Sequence, residues 1–347
     1  MKNLAKLVGE SWLSDVLADT RRRAHPLRFQ LTKSGAASVR WRETFEIAVG
    51  VVDELLVNDA AARIRLIAKL KDRRQFWSTV PEIVWAARLH RAGMQVEVEP
   101  IIGRTGPDIR FTMAGFTAHA EVYAPVFQAA EFDWGEDLQD ELERLAVGFH
   151  VSAQQLPPRT SENRSIIAKI LRRAIGEIAS KNDRTEYRLY MRSDRSVRME
   201  PTSGYVTLES DPIMEEEDDL LFVTDLYNRP EQGGITIGTH VTNGHRDHRK
   251  LLTDLGQLQP GANLLILDTT RDFITRTSIE LSCDGAFARH PELSAIAVSS
   301  WGVYPNPLGD DHFVEEYDFI VNPNGATPFS PEMLTVMGQS GLLDSKL

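Results

Sequence analysis

The residues best suited to chemistry lie between positions 76 and 125, FWSTVPEIVWAARLHRAGMQVEVEPIIGRTGPDIRFTMAGFTAHAEVYAP. Three carboxylates stand out. Glu82 comes early in a helical segment, Asp108 follows a Gly-Pro turn, and Glu121 lies near the end of the next strand-like run. If the two runs pair as a hairpin, Asp108 and Glu121 approach each other at its open end. Paired carboxylates beside a backbone carbonyl form a hard oxygen site suited to Mg²⁺ or Mn²⁺. Such an ion lowers the pKa of bound water and neutralises charge on a phosphorane-like transition state. Strand alternation places Asp108 with Arg110 on one face, and His119, Glu121 and Tyr123 together on one face of the next strand; the register decides whether the faces coincide.

Each carboxylate also has a plainer reading. Thr79 and Glu82 fit a Ser/Thr-x-x-Glu capping box. Asp108 after Gly-Pro suits a turn. Glu121, flanked by Ala120 and Val122, needs a partner if buried, and an ion pair with Arg110 would satisfy it without catalysis.

The elements that position these residues follow from periodicity. Residues 1–20 read as helical, and ArgArgArg at 21–23 with HisPro at 25–26 breaks the pattern. Residues 42–72 read as one or two helices. The helix 78–92 has Pro81 in its first turn and Gly93 as its stop. Three short strands are expected at 95–100, 108–113 and 116–124, the last two joined by the hairpin signal AlaGly at 114–115. Helices are expected at 136–149, 162–180 and near 245–257. Strands are expected at 186–191, 204–209, 220–224, 234–239, 263–268 and 293–300. The tail after 321 reads as turn-rich. The aromatics Trp77, Trp85, Phe111 and Trp301 are expected in the core.

Charge limits the partners. The 347 residues carry 39 Lys+Arg and 50 Asp+Glu, a net −11. Residues 1–200 hold 31 and 27 of these, whereas 201–347 hold 8 and 23. Phosphate contacts need Lys and Arg, so a polyanion would approach the first two-thirds of the chain. The lone Cys283 excludes an internal disulfide and a multi-Cys zinc site. No apolar run is long enough to span a membrane, and the first residues lack a secretory pattern. The expected location is the cytoplasm. His245 and His248 share a helical face but lack a matching third ligand, so a solvated helix start is favoured. GlyGlyIleThrIleGly at 233–238 lacks the strand–turn–helix context of a phosphate loop. Lys169, Arg172 and Arg173 read as a solvated face before a nucleic-acid groove, and Glu215–Asp219 as an exposed loop.

The order of Glu82, then Pro107-Asp108, then Glu121-Val122-Tyr123 resembles the PD-(D/E)xK nuclease superfamily, whose fold is restriction-endonuclease-like. GlyMetGlnValGluValGluPro at 93–100 resembles that fold's first strand, and residues 251–268 its later helix and fourth strand. The clear resemblance covers about 50 residues, and about a quarter of the chain with the later pair. It implies an α/β fold with a restriction-endonuclease-like core, N-terminal helices and a β-rich insertion. The boundaries are an N-terminal helical region at 1–75 and a core at 76–347, with the insertion at about 130–242. It also implies metal-dependent phosphodiester hydrolysis in DNA or RNA. Asp108, Glu121 and the Val122 carbonyl would hold Mg²⁺ or Mn²⁺, and Glu82 would orient the site or bind a second metal. The pattern's lysine is Tyr123 here, and tyrosine carries no fixed positive charge at pH 7. Some family members move that lysine to a neighbouring element; Arg110 and His119 are the sequence candidates to contact substrate or replace it. The alternative is a non-catalytic binding or scaffold protein on the same fold.

Overall fold

A computed structural model describes residues 1–19, 25–101, 106–124, 134, 138, 149–155, 157–158, 160–181, 186–202, 220–228, 234–237, 258–269, 276–304, 312–339 and 341–342. The expectations for 204–209, 215–219 and 245–257 fall outside them, as does that for 136–149 apart from Leu138 and Phe149. The chain forms two compact units: residues 1–126 with 245–347, and residues 127–244.

The first unit opens with α1 (Lys2–Val8) and α2 (Glu10–Ala18), separated at Gly9, whose φ of 92° favours glycine. Next come α3 (Pro26–Thr32), α4 (Ala36–Leu55), α5 (Ala60–Lys71) and α6 (Phe76–Arg91). Asp59 caps α5 by accepting from the Ala62 amide (2.9 Å). The capping box expected at Thr79 and Glu82 does not form. Helix α6 starts earlier, at Phe76, with Gln75 as N-cap. The Thr79 hydroxyl donates to the Gln75 carbonyl (2.8 Å), and Pro81 lies inside the helix. The Phe76 amide already reaches the Asp72 carbonyl (2.9 Å), and the earlier start buries the Phe76 ring completely.

Strands β1 (Gln95–Val98), β2 (Ile109–Met113) and β3 (Phe116–Tyr123) form an antiparallel meander. Ala114 and Gly115 have φ of 51° and 81°, both positive as a type I′ hairpin turn requires. Later in this unit come β9 (Ala262–Asp268), α8 (Arg276–Arg289), β10 (Leu293–Tyr304), β11 (His312–Val321) and α9 (Pro331–Gln339). The six-stranded sheet runs β1-β2-β3-β9-β10-β11. β9 lies parallel to β3 and to β10, and β11 is antiparallel to β10. The sheet is therefore mixed, and the protein is α/β.

Helices of residues 1–75 share one apolar core with α6 and the sheet: Leu4, Phe45 and Ile83 pack with Phe111, Ala120 and Ile266. Full burial of each such Leu, Ile or Phe contributes about 2 kcal/mol. The opposite sheet face carries Leu265, Leu267 and Ile296 against Ile279, Cys283 and Phe287 of α8. Trp85, Phe111 and Trp301 are buried, as expected. The tail is turn-rich over 322–330, as expected, and then forms α9, because Met333 and Met337 have core partners far away in sequence.

The second unit has β4 (Phe149–Gln155), α7 (Ser161–Lys181), β5 (Glu186–Arg192), β6 (Val197–Thr202), β7 (Leu220–Asn228) and β8 (Gly234–Ile237). Its sheet runs β6-β5-β7-β4-β8, and Ile167, Leu171 and Ile178 of α7 pack with Leu189 and Leu226.

Candidate active site

The β2–β3 register fixes what the sequence left open. Ile109 pairs with Ala120 and Arg110 with His119. Ile109, Phe111, Ala118 and Ala120 point into the core, so alternation turns Arg110, His119, Glu121 and Tyr123 to the other face. Asp108 lies one step before β2, level with Glu121 at the open end of the hairpin. The Val122 amide donates to Asp108 Oδ2 (2.9 Å). In a strand a residue's N–H and C=O leave on the same side, so the Val122 carbonyl also faces the Asp108 side.

Glu82 reaches this end of the sheet from α6 and is almost fully buried. Its partner is Lys69 of α5, whose Nζ donates to Oε1 (3.2 Å) and Oε2 (3.0 Å). The same Nζ stands 2.7 Å from Glu99 Oε1 and 3.7 Å from Asp108 Oδ1. Glu99, just beyond β1, is also bound by Arg65: Nε donates to Oε2 (3.1 Å) and Nη2 to the Glu99 carbonyl (2.7 Å). The Glu99 amide donates to the Asp108 carbonyl (2.7 Å). One ammonium thus sits among three carboxylates from α6, the end of β1 and the start of β2.

Among the described residues the site is short of positive charge. Burial, then the charge of Asp108, pushes Glu82 up to about 8 against the pull of Lys69. Burial and the charges of Asp108 and Glu82 push Glu121 up to about 9. Burial also raises Asp108, although the Val122 amide and Lys69 favour its ionised form. Burial works against the Lys69 charge, but Glu82, Glu99 and Asp108 outweigh it and hold the ammonium protonated well above its ordinary range. Among the described residues four carboxylates, Glu82, Glu99, Asp108 and Glu121, face two cations, Lys69 and Arg65. The imbalance and the all-oxygen donor set suit a hard divalent ion. Among the described residues no three His, Cys, Asp or Glu side chains form a ready metal-binding group, so an ion there would draw on two carboxylates and a carbonyl.

The other sequence candidates have contacts of their own. Arg110 pairs with Glu97 across the β1–β2 ladder. His119 sits opposite Arg110, and burial and then the Arg110 charge lower its pKa. Tyr123 packs against the cluster containing Leu265 and Leu267.

Sequence reasoning missed Lys69, Arg65 and Glu99. A signal was present for the first two. Arg65 and Lys69 stand at i and i+4 on a helix that buries Ala62, Leu66 and Leu70. Adjacent like charges destabilise a helix unless acids face them, and such a pair beside a core face calls for carboxylates elsewhere in the fold.

No family model matches this chain, and no curated protein matches it. Among the described residues no helix is long and apolar enough to cross a membrane.

Proposed function

We propose that the protein is a metal-dependent nuclease of the PD-(D/E)xK type, acting on DNA or RNA in the cytoplasm, with Lys69 in place of the pattern's lysine. The observation that carries this reading is the Lys69 ammonium, 3.0 Å from Glu82 and 3.7 Å from Asp108. A positive charge is present where Tyr123 offers none, delivered from α5 instead of β3. The order α6, β1, β2, β3, with β9 beside β3, supports a restriction-endonuclease-like core.

Asp108, Glu121 and the Val122 carbonyl would hold Mg²⁺ or Mn²⁺. A divalent ion there supplies Lewis-acid stabilisation of phosphoryl charge and acidifies water. Lys69 contributes a fixed positive charge that orients the attacking water and offsets the charge building on the phosphoryl oxygens. Glu82 anchors Lys69. The Val122 amide holds Asp108 in the rotamer that aims its other oxygen, Oδ1, at Lys69.

The test is cleavage of plasmid, single-stranded DNA and RNA with Mg²⁺ or Mn²⁺. Wild type cleaves at least one of them, and Asp108→Ala, Glu121→Ala and Lys69→Ala each lower the rate about 100-fold or more. A folded wild type that cleaves none with either ion ends this reading.

One observation favours the second reading, a non-catalytic nucleic-acid-binding or scaffold protein: Lys69 already closes ion pairs with Glu82 and Glu99. That protein would retain salt-dependent nucleic-acid binding without cleavage.

A further inference from the structure

We propose that Glu99 is a positioning residue, which fixes the Lys69 ammonium beside Glu82 and Asp108 and is itself locked by Arg65. The inference rests on the nuclease reading and adds a residue that neither the sequence motif nor the carboxylate pair contains.

Three observations carry it. First, Glu99 has a φ of 48°, in the left-handed region, and precedes Pro100. An L side chain there is strained, and the following proline restricts the backbone further. Glycine would relieve the strain, yet the position carries a carboxylate. Second, that carboxylate is only 8% exposed and both its oxygens are engaged, Oε2 by Arg65 Nε and Oε1 by Lys69 Nζ at 2.7 Å. The contact with Lys69 is shorter than either from Glu82. Third, the Glu99 amide is bonded to the Asp108 carbonyl (2.7 Å). Glu99 therefore holds Lys69 through its side chain and Asp108 through its main chain, and ties both to one point at the end of β1.

The geometry explains why a second anchor matters. Lysine has a long stem that loses much rotamer freedom when it is ordered. Glu82 grips the ammonium from the α6 side alone, which leaves it free to pivot about that carboxylate. Glu99 grips it from the sheet side, and the two together leave the ammonium directed at Asp108. Misplacement of a catalytic group by 1 Å can cost about 100-fold in rate.

The test uses the full chain with Glu99→Gln, which keeps shape and loses charge, and Glu99→Gly, which accepts the backbone conformation without strain. Two readouts are taken: nuclease kinetics with Mn²⁺, and the nitrogen-15 signal of the Lys69 side-chain ammonium, visible only when that group is held by hydrogen bonds. The expected result is loss of the ammonium signal in both variants, with kcat down about 10- to 100-fold and KM within about 2-fold. Restoration of part of kcat in Glu99→Asp, but not in Glu99→Gln, supports the charge as the active feature. Retention of the Lys69 signal and of kcat in both variants overturns the proposal. A wild type with the signal but no cleavage overturns the nuclease reading instead, while loss of the signal in the variants still upholds the hold of Glu99 on Lys69.

Discussion

Lys69 and Glu82, on successive helices and thirteen residues apart, are joined by two hydrogen bonds of 3.2 and 3.0 Å with Glu82 almost wholly buried. Removal of one partner leaves a buried carboxylate with neither water nor a cation, which costs about 3 kcal/mol or more in such pairs. Lys69→Met is therefore expected to lower stability by about 2 to 3 kcal/mol, because Glu82 escapes part of the penalty by taking up a proton. Adding Glu82→Gln should recover at least half of that loss without restoring cleavage. Urea titrations of the two single variants and the double variant check this. Strict additivity of the two losses would show that the residues are not coupled.

Glu121 and Asp108 crowd one another: burial raises both, and the charges of Asp108 and Glu82 raise Glu121 further. Glu121→Gln keeps the shape and removes that conflict. The metal-free variant is expected to be about 1 to 2 kcal/mol more stable than wild type at pH 8, and inactive. Thermal melts with and without Mn²⁺ separate the two properties: wild type gains Tm with Mn²⁺ and Glu121→Gln gains much less. A less stable Glu121→Gln, or one with the full Mn²⁺ gain, contradicts the assignment of Glu121 to the metal.

The same carboxylates set a pH dependence. Glu82 and Glu121 rise from 4.5 to about 8 and about 9 in the folded protein. Between 4.5 and those values the folded state holds more protons than the unfolded one, so their contribution to stability falls as pH rises through that window. Glu82→Gln with Glu121→Gln should flatten the decline of stability between pH 6 and pH 9, measured without metal. In wild type, Mn²⁺ should raise Tm more at pH 8 than at pH 6, since it competes with the protons that the carboxylates hold at the lower pH.

How much of this was legible depended on how local the signal was. The hairpin at Ala114–Gly115 and its flanking strands follow from a two-residue turn and from alternation, so β2 and β3 lie close to their expected bounds. Glu82, Asp108 and Glu121 were singled out for the same reason, being confined to forty residues. The apolar runs of β9 and β10 were visible as buried strands. Lys69 was not found, because its role depends on how α5 packs against α6, and helical periodicity shows which face is buried but not which neighbour it meets. Glu99 was hidden by alternation itself: Glu97 and Glu99 look equivalent in sequence, yet the backbone turns at Glu99 and carries its carboxylate toward Arg65 and Lys69, while Glu97 pairs with Arg110. The start of α6 was misplaced because Thr79, Pro81 and Glu82 form a capping pattern, whereas burial of Phe76 favours an earlier start. Helix α9 was missed because its apolar residues gain meaning only from distant core partners.

His25 supplies a prediction independent of the site. It is 5% exposed, packed edge-on between Trp12 and Phe76 with ring centroids at 5.2 and 5.0 Å. Its Nδ1 accepts from the Leu27 amide (3.2 Å), which requires a neutral ring. Burial pushes its pKa down to about 4, with Arg73 adding to the shift and a backbone hydrogen bond at Leu70 opposing it. Between pH 6.5 and 4 the unfolded chain takes up a proton that the folded chain refuses, so stability is fully present above 6.5 and is lost as pH falls. At pH 5 the loss from this residue is about 2 kcal/mol. His25→Phe keeps the aromatic contacts and removes the titration, at a neutral-pH cost of about 1 kcal/mol for the unpaired Leu27 amide. Urea titrations of both proteins at pH 7.5 and 5.0 should show the wild type losing about 2 kcal/mol more than the variant over that interval, and the carboxylate contributions, common to both, drop out of the difference. An equal loss in the two proteins would mean that His25 is protonated in the folded state and that its packing between the two rings tolerates the charge.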